Sequence, residues 1–111
     1  MTEARNRTAE RLREALATEI VTEKAMFGAQ CFMVGGKLAV CANKDGSLLA
    51  RVDPERQDEF LARPGASIFE MGHGRLMGPS WLRVDPSVVA ADEALNVWMA
   101  DVLDFNRRIT G

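Results

Sequence analysis

Between Met26 and Val52, apolar residues fall at every second position in three successive runs: Phe27, Ala29, Cys31 and Met33; then Leu38, Val40 and Ala42; then Leu48, Ala50 and Val52. Period two is the mark of half-buried strands, and the residues between the runs are turn formers. In Val34-Gly35-Gly36-Lys37 the two glycines accept positive φ without steric cost, as a two-residue primed turn requires. Lys44-Asp45-Gly46 suits a three-residue loop that ends in a left-handed glycine, with Asn43 pairing Ser47. Counting from these turns pairs Met33 with Leu38, Cys31 with Val40 and Ala29 with Ala42, then Ala42 with Leu48, Val40 with Ala50 and Leu38 with Val52. Cross-strand partners share a face, so the ten residues of the runs are expected on one side of a three-stranded antiparallel meander.

The same register fills the other side. It sets Phe32 opposite Ala39, Gln30 opposite Cys41 and Cys41 opposite Leu49, with Val34 nearby. A solvated sheet face normally alternates to polar residues, and this one does not. Phe32, Val34, Ala39, Cys41 and Leu49 are therefore the candidate self-association face, and the expected assembly is a homodimer. Because Cys31 and Cys41 fall on opposite faces in this register, no disulfide is expected between them.

Around the meander the chain reads as covering helices and two further strands. Ala9, Leu12, Leu16 and Ile20 form the apolar stripe of an amphipathic helix over residues 2–20. Its arginines at 5, 7, 11 and 13 are balanced by Glu3, Glu10, Glu14 and Glu19, which predicts a solvated face, with Glu3–Arg7 and Glu10–Arg13 paired along the helix. Asp53-Pro54-Glu55 opens a short helix to about Ala62, and Pro64-Gly65 stops it. Ser67–Met71 and Trp81–Val84 read as strands joined by a glycine-rich stretch from Gly72 to Gly78. A closing helix begins near Val88, or at Ala91 if Asp92 belongs to a separate capping turn, and runs to about Arg108. Its stripe is Ala91, Leu95, Trp98, Val102, Phe105 and Ile109, with Met99 alongside. The fold class is α+β, in the order helix, three-stranded antiparallel meander, helix, two strands, helix.

The 111 residues are expected to form one domain. With 14 basic and 16 acidic residues the net charge is −2, so no overall field draws the chain to nucleic acid. Two cysteines, a charged N-terminal stretch and no apolar run of membrane-spanning length place it, as an expectation, in the cytoplasm and off the membrane.

Several segments together resemble the TfoX N-terminal domain, a family named after bacterial regulators of DNA-uptake competence. They are Glu23-Lys24 leading into Met26-Phe27-Gly28, Val34-Gly35-Gly36, Leu49-Ala50-Arg51-Val52, Gly74-Arg75-Leu76-Met77-Gly78, and Trp98 in a closing helix. The resemblance spans nearly the whole chain. It implies an α+β fold like that of the type III secretion chaperones, which are dimers, and it supplies no catalytic residues. In the competence regulators this domain precedes a helical domain that looks like a DNA-binding module. The present sequence ends at Gly111, so direct DNA binding by this chain is not expected.

No constellation for chemistry stands out. Cys31, Cys41 and His73 are the only thiols and imidazole, and with the thiols on opposite faces they neither build a Cys-His nucleophile nor a metal site. No metal, cofactor or catalytic residue is assigned. Asp58-Glu59 and Asp101/Asp104 sit at polar helix positions rather than in a water-poor cleft. Gly72-His73-Gly74-Arg75 with Gly78 invites an anion-binding reading, in which glycine amides approach the anion and Arg75 forks onto it, yet the loop leads into a strand instead of opening a helix. Gly74, Arg75 and Gly78 are thus candidate anion or partner contacts. The leading expectation is a non-catalytic regulatory or protein-interaction domain, linked to transcription or competence through an unidentified protein partner. The alternative is a small-molecule or anion-binding domain that uses the Gly72–Gly78 loop.

Overall fold

The computed structural model describes residues 3–26, 28–70 and 78–111. One six-stranded sheet carries helices on one face. The elements are α1 (Glu3–Ala15), β1 (Val21–Met26), β2 (Ala29–Val34), β3 (Lys37–Ala42), β4 (Leu48–Arg51), a 3-10 turn (Pro54–Arg56) running into α2 (Gln57–Leu61), β5 (Ala66–Ile68), β6 (Trp81–Val84), α3 (Pro86–Val89) and α4 (Asp92–Thr110). Strands pair in the order β1-β2-β3-β4-β6-β5, every neighbour antiparallel.

Both meander turns form as their residues dictate. Gly35 and Gly36 lie at φ 62° and 86°, the two left-handed positions of a type I′ turn. Asn43 N–H donates to Ser47 O at 2.8 Å and Gly46 takes φ 89°, closing the three-residue loop. The Thr8 hydroxyl then donates to Gly46 O at 2.8 Å and ties α1 to that turn.

The register beyond the first turn departs from expectation. Val34 pairs with Lys37 and Met33 with Leu38, but Phe32 then pairs with Val40, Cys31 with Cys41 and Gln30 with Ala42. Ala39 is the extra residue of a β-bulge, which sets two residues against one and re-aims everything upstream. The gain is packing. Phe32, Val34, Ala39, Val40 and Ala42 all enter the core beneath the helices with Leu48, Ala50, Leu82 and Val84, whereas a plain ladder would turn the Phe32 ring outward.

Two expectations are corrected by this bulge. Phe32, Val34, Ala39, Cys41 and Leu49 do not form one face: the first three are buried under helices, and only Cys41 and Leu49 lie on the other side. Cys31 and Cys41 share a face and stand directly opposite each other, which removes the geometric objection to a bond between them.

α1 ends at Ala15, short of Ile20, which is 88% exposed. The next residues form an edge strand instead. Thr22 to Ala25 are exposed, so β1 shows no apolar period and leaves no strand signal in the sequence. The Arg13 fork onto Glu23, both contacts at 2.7 Å, pins it to α1. Arg5 and Arg11 of α1 also reach across the fold: Arg5 donates to Gly28 O at 3.1 Å, and Arg11 donates to Val89 O and pairs with Asp92 at 2.8 Å.

Capping aspartates open two of the remaining helical segments, the first as expected from Asp53-Pro54. Asp53 accepts from Glu55 N–H at 3.0 Å with Pro54 at the first position, and Asp85 accepts from Ser87 N–H at 3.1 Å with Pro86. The closing helix is divided, but the separate turn is α3, which begins at Pro86 ahead of the expected start, and Asp92 is the first residue of α4. Leu95, Trp98, Met99 and Val102 are buried as expected; Asn106 replaces Phe105 at the buried position and donates to Val34 O at 3.1 Å. Trp98 and Phe60 meet at 5.8 Å between ring centroids. Phe27, and Met71 to Met77 with His73, Gly74 and Arg75, lie outside the described residues.

Candidate functional site

The side of the sheet away from the helices is the surface with chemistry to explain. Alternation from the buried core residues places Ala29, Cys31 and Met33 of β2, Leu38 and Cys41 of β3, Leu49 and Arg51 of β4, and Trp81 and Arg83 of β6 on this open face. Cys31, Cys41 and Leu49 form its buried floor, with Met26, Ala29, Leu38, Phe69 and Trp81 packed around them and partly exposed. Arg51 and Trp81 are cross-strand partners, and the guanidinium lies over the indole with its carbon 5.0 Å from the ring centroid. Arg51 Nη1 donates to Leu38 O at 3.5 Å, while its buried Nε has no acceptor among the described residues. A weakly hydrated guanidinium stacked on indole presents a flat, amphipathic surface.

At one end this face opens into a cleft of about 560 Å³ between the β3–β4 turn and β5, lined by Asn43, Asp45, Ser47, Ser67, Phe69 and Arg83 among others. Asp45, Ser47 and Arg83 satisfy one another there. Arg83 pairs with Asp45 at 2.7 Å, and the Ser47 hydroxyl and N–H donate to the same carboxylate at 2.6 and 2.9 Å. Burial opposes ionisation of Asp45, but the Ser47 donors and Arg83 together outweigh it and hold its carboxyl at about 2. A general base works best with a pKa near the operating pH. A carboxylate held that low is an anchor for the turn and for Arg83.

Three of the four carboxylates considered from the sequence, Glu59, Asp101 and Asp104, are taken up by arginines. Glu59 pairs with Arg56 at 2.8 Å, Asp101 with Arg63 at 2.6 Å and with Arg56 at 3.4 Å, and Asp104 with Arg108 at 3.1 Å. Arg63 also lies over Phe60 and Trp98, 4.7 Å from each centroid, so this network clamps α2 onto α4. Among the described residues, no three His, Cys, Asp or Glu side chains converge as a metal ion would require. Cys41 donates its thiol proton to Cys31 Sγ across 2.7 Å, and burial, followed by that neighbouring sulfur, pushes the Cys41 thiol up from its ordinary value.

Of the candidate contacts, Gly74 and Arg75 lie outside the described residues. Gly78 takes φ 111° with open space where a side chain would stand, and its carbonyl accepts from Trp81 N–H at 3.2 Å as β6 begins. The residues of the open face that the sequence left unassigned are Arg51, Phe69, Trp81 and Arg83. Their meeting depends on β4 pairing with β6 across the intervening segment, and no local pattern encodes that pairing.

No helix among the described residues is long and apolar enough to cross a membrane. Residues 12–106 match the family model of the TfoX N-terminal domain. No curated protein and no solved structure matches the chain.

Proposed function

Because the chain belongs to the TfoX N-terminal domain family, we propose that it is a non-catalytic regulatory module that works by protein–protein contact through the open face of the sheet, first with a second copy of itself. The observation that carries this reading is the composition of that face: Met26, Leu38, Phe69 and Trp81 stand partly exposed around a buried floor, with Arg51 stacked on Trp81. Tryptophan, methionine and arginine are the residues concentrated at interface centres and among binding hot spots. An antiparallel sheet with one wet side normally shows polar residues there.

The β1 edge is the competing surface, and its charges argue against it. A two-fold pairing of antiparallel edges keeps each side chain on its own face, so the two central registers of β1 bring Glu23 against Glu23 or Lys24 against Lys24. Like charges directly opposite one another disfavour the ladder and guard an edge. The balanced net charge of −2 supports a protein rather than nucleic acid as the direct contact, so a role in transcription or competence runs through a protein partner.

Sedimentation at micromolar concentration tests the reading. The expected result is a species heavier than the 12.2 kDa monomer, which Trp81→Ala returns to monomer while the circular dichroism of the fold is kept. Val97→Lys, which alters an exposed apolar residue on α4, should leave association unchanged. A wild-type monomer refutes the proposal, and so does dissociation by Val97→Lys alone.

A further inference from the structure

The bulge at Ala39 brings the only two cysteines of the chain face to face. Direct partners on antiparallel strands hold their Cα atoms about 4.5–5.5 Å apart, inside the roughly 4.4–6.8 Å window that a disulfide spans. Their sulfurs are already in contact at 2.7 Å, and both cysteines are free. We propose that Cys31 and Cys41 are a redox-active dithiol that a peroxide oxidises to a cross-strand disulfide within one chain.

Position in the sheet assigns the order of events. Cys31 lies on β2 beside the edge strand β1, whereas Cys41 lies on β3 between β2 and β4, so Cys31 is the sulfur that an opening at this edge reaches first. Cys31 as thiolate attacks one peroxide oxygen; the O–O bond breaks, leaving a sulfenic acid on Cys31 and hydroxide. Cys41 then attacks the sulfenic sulfur. The S–S bond forms as the S–O bond breaks, and the Cys41 proton leaves with the departing hydroxyl as water. In sum, two thiols and one hydrogen peroxide give one disulfide and two waters, with sulfur oxidised and peroxide oxygen reduced.

Access sets the pace, because Cys31 and Cys41 are 3% and 1% exposed. Among the described residues, the side chains packed over them belong to the open face, and β1, which flanks Cys31 through its partner Lys24, is an edge strand with four exposed residues. Edge elements with few buried contacts open locally well below the cost of global unfolding. Once formed, the bond closes a short loop across the β2–β3 turn and holds the bulge in register, which limits the unfolded chain more than the folded one.

The test is to incubate the full chain with hydrogen peroxide, digest it with trypsin without reductant and analyse it by mass spectrometry. Cleavage after Lys24, Lys37 and Lys44 separates the cysteines, so the bond appears as peptide 25–37 joined to peptide 38–44, lighter by two hydrogens than their sum and released by reductant. The urea midpoint should rise on oxidation and return on reduction, and it should not move in Cys31→Ser or Cys41→Ser. A sulfenic acid trap should label Cys31 in Cys41→Ser and leave Cys41 unlabelled in Cys31→Ser. Free thiols after prolonged oxidation, crosslinks only between chains, independent oxidation of each cysteine to sulfinic acid, a midpoint that falls, or the reverse labelling pattern would each overturn the proposal.

Discussion

Replacing Phe32 by alanine measures the bulge directly, because the bulge alone decides whether residue 32 or residue 33 points into the core. Phe32 is 0% exposed within the helix-covered cluster, and the Arg13 guanidinium carbon lies 5.9 Å from its ring centroid. Fully burying a phenylalanine side chain is worth about 1.5–3 kcal/mol of transfer free energy. The cavity left by Phe32→Ala adds to this, because the sheet backbone on one side and α1 on the other collapse only in part, so the total cost is about 3–5 kcal/mol. Met33 lies on the open face and is only half-buried; its truncation leaves no closed cavity and should cost about 1 kcal/mol, the ordinary value for a point substitution. With a urea slope of about 1–3 kcal/mol per molar, Phe32→Ala should lower the unfolding midpoint by about 2 M, and Met33→Ala by about a quarter of that. Urea titrations of the two variants, followed by far-ultraviolet circular dichroism, check both numbers. Equal costs, or a larger cost at Met33, would mean that the ladder runs without the bulge, and the cysteine pair and the composition of the open face would fall with it.

The low pKa of Asp45 carries a pH dependence. Its carboxyl sits at about 2 in the fold, below the usual unfolded value of about 3.9, so its contribution to stability is complete above about pH 4 and is lost as pH falls through 2. Asp45→Asn should therefore be destabilising at pH 6 and approach wild type near pH 2.5; a stability difference that stays constant over that range would refute the assignment. For duplex DNA at physiological salt we expect no appreciable affinity, because a net charge of −2 offers no surplus of phosphate contacts. Salt-dependent binding tighter than about 10⁻⁶ M, beyond the usual non-specific range, would contradict that expectation.

The parts of this fold that the sequence determines by itself are those whose energetics are local. Gly35-Gly36 specifies its turn because both positions need positive φ, and Asn43 to Ser47 specify theirs through a left-handed Gly46 and the Asn43–Ser47 pair. Asp53-Pro54 and Asp85-Pro86 cap the elements they precede, Trp81–Val84 is a strand as its alternation predicts, and the buried stripe of α4 follows its helical period except at Asn106. The apolar character of the second sheet face was legible in the same way, since too few polar residues alternate there. Its membership was not. Whether the ladder inserts Ala39 depends on where the Phe32 ring finds volume, and that space is made by α1 and α4, from opposite ends of the chain. A shift of one residue in register exchanges the two faces of a strand, so that single packing choice buried Phe32, moved Cys31 and Met33 to the open side and set Cys31 against Cys41. β1 was hidden for the opposite reason: most of its side chains are exposed on both faces, so its place in the sheet rests on backbone pairing with β2 and on Arg13–Glu23, neither of which leaves a period in the sequence. The stack of Arg51 on Trp81 likewise needed β4 and β6 to become neighbours, a contact between residues far apart in the chain that only the assembled sheet brings about.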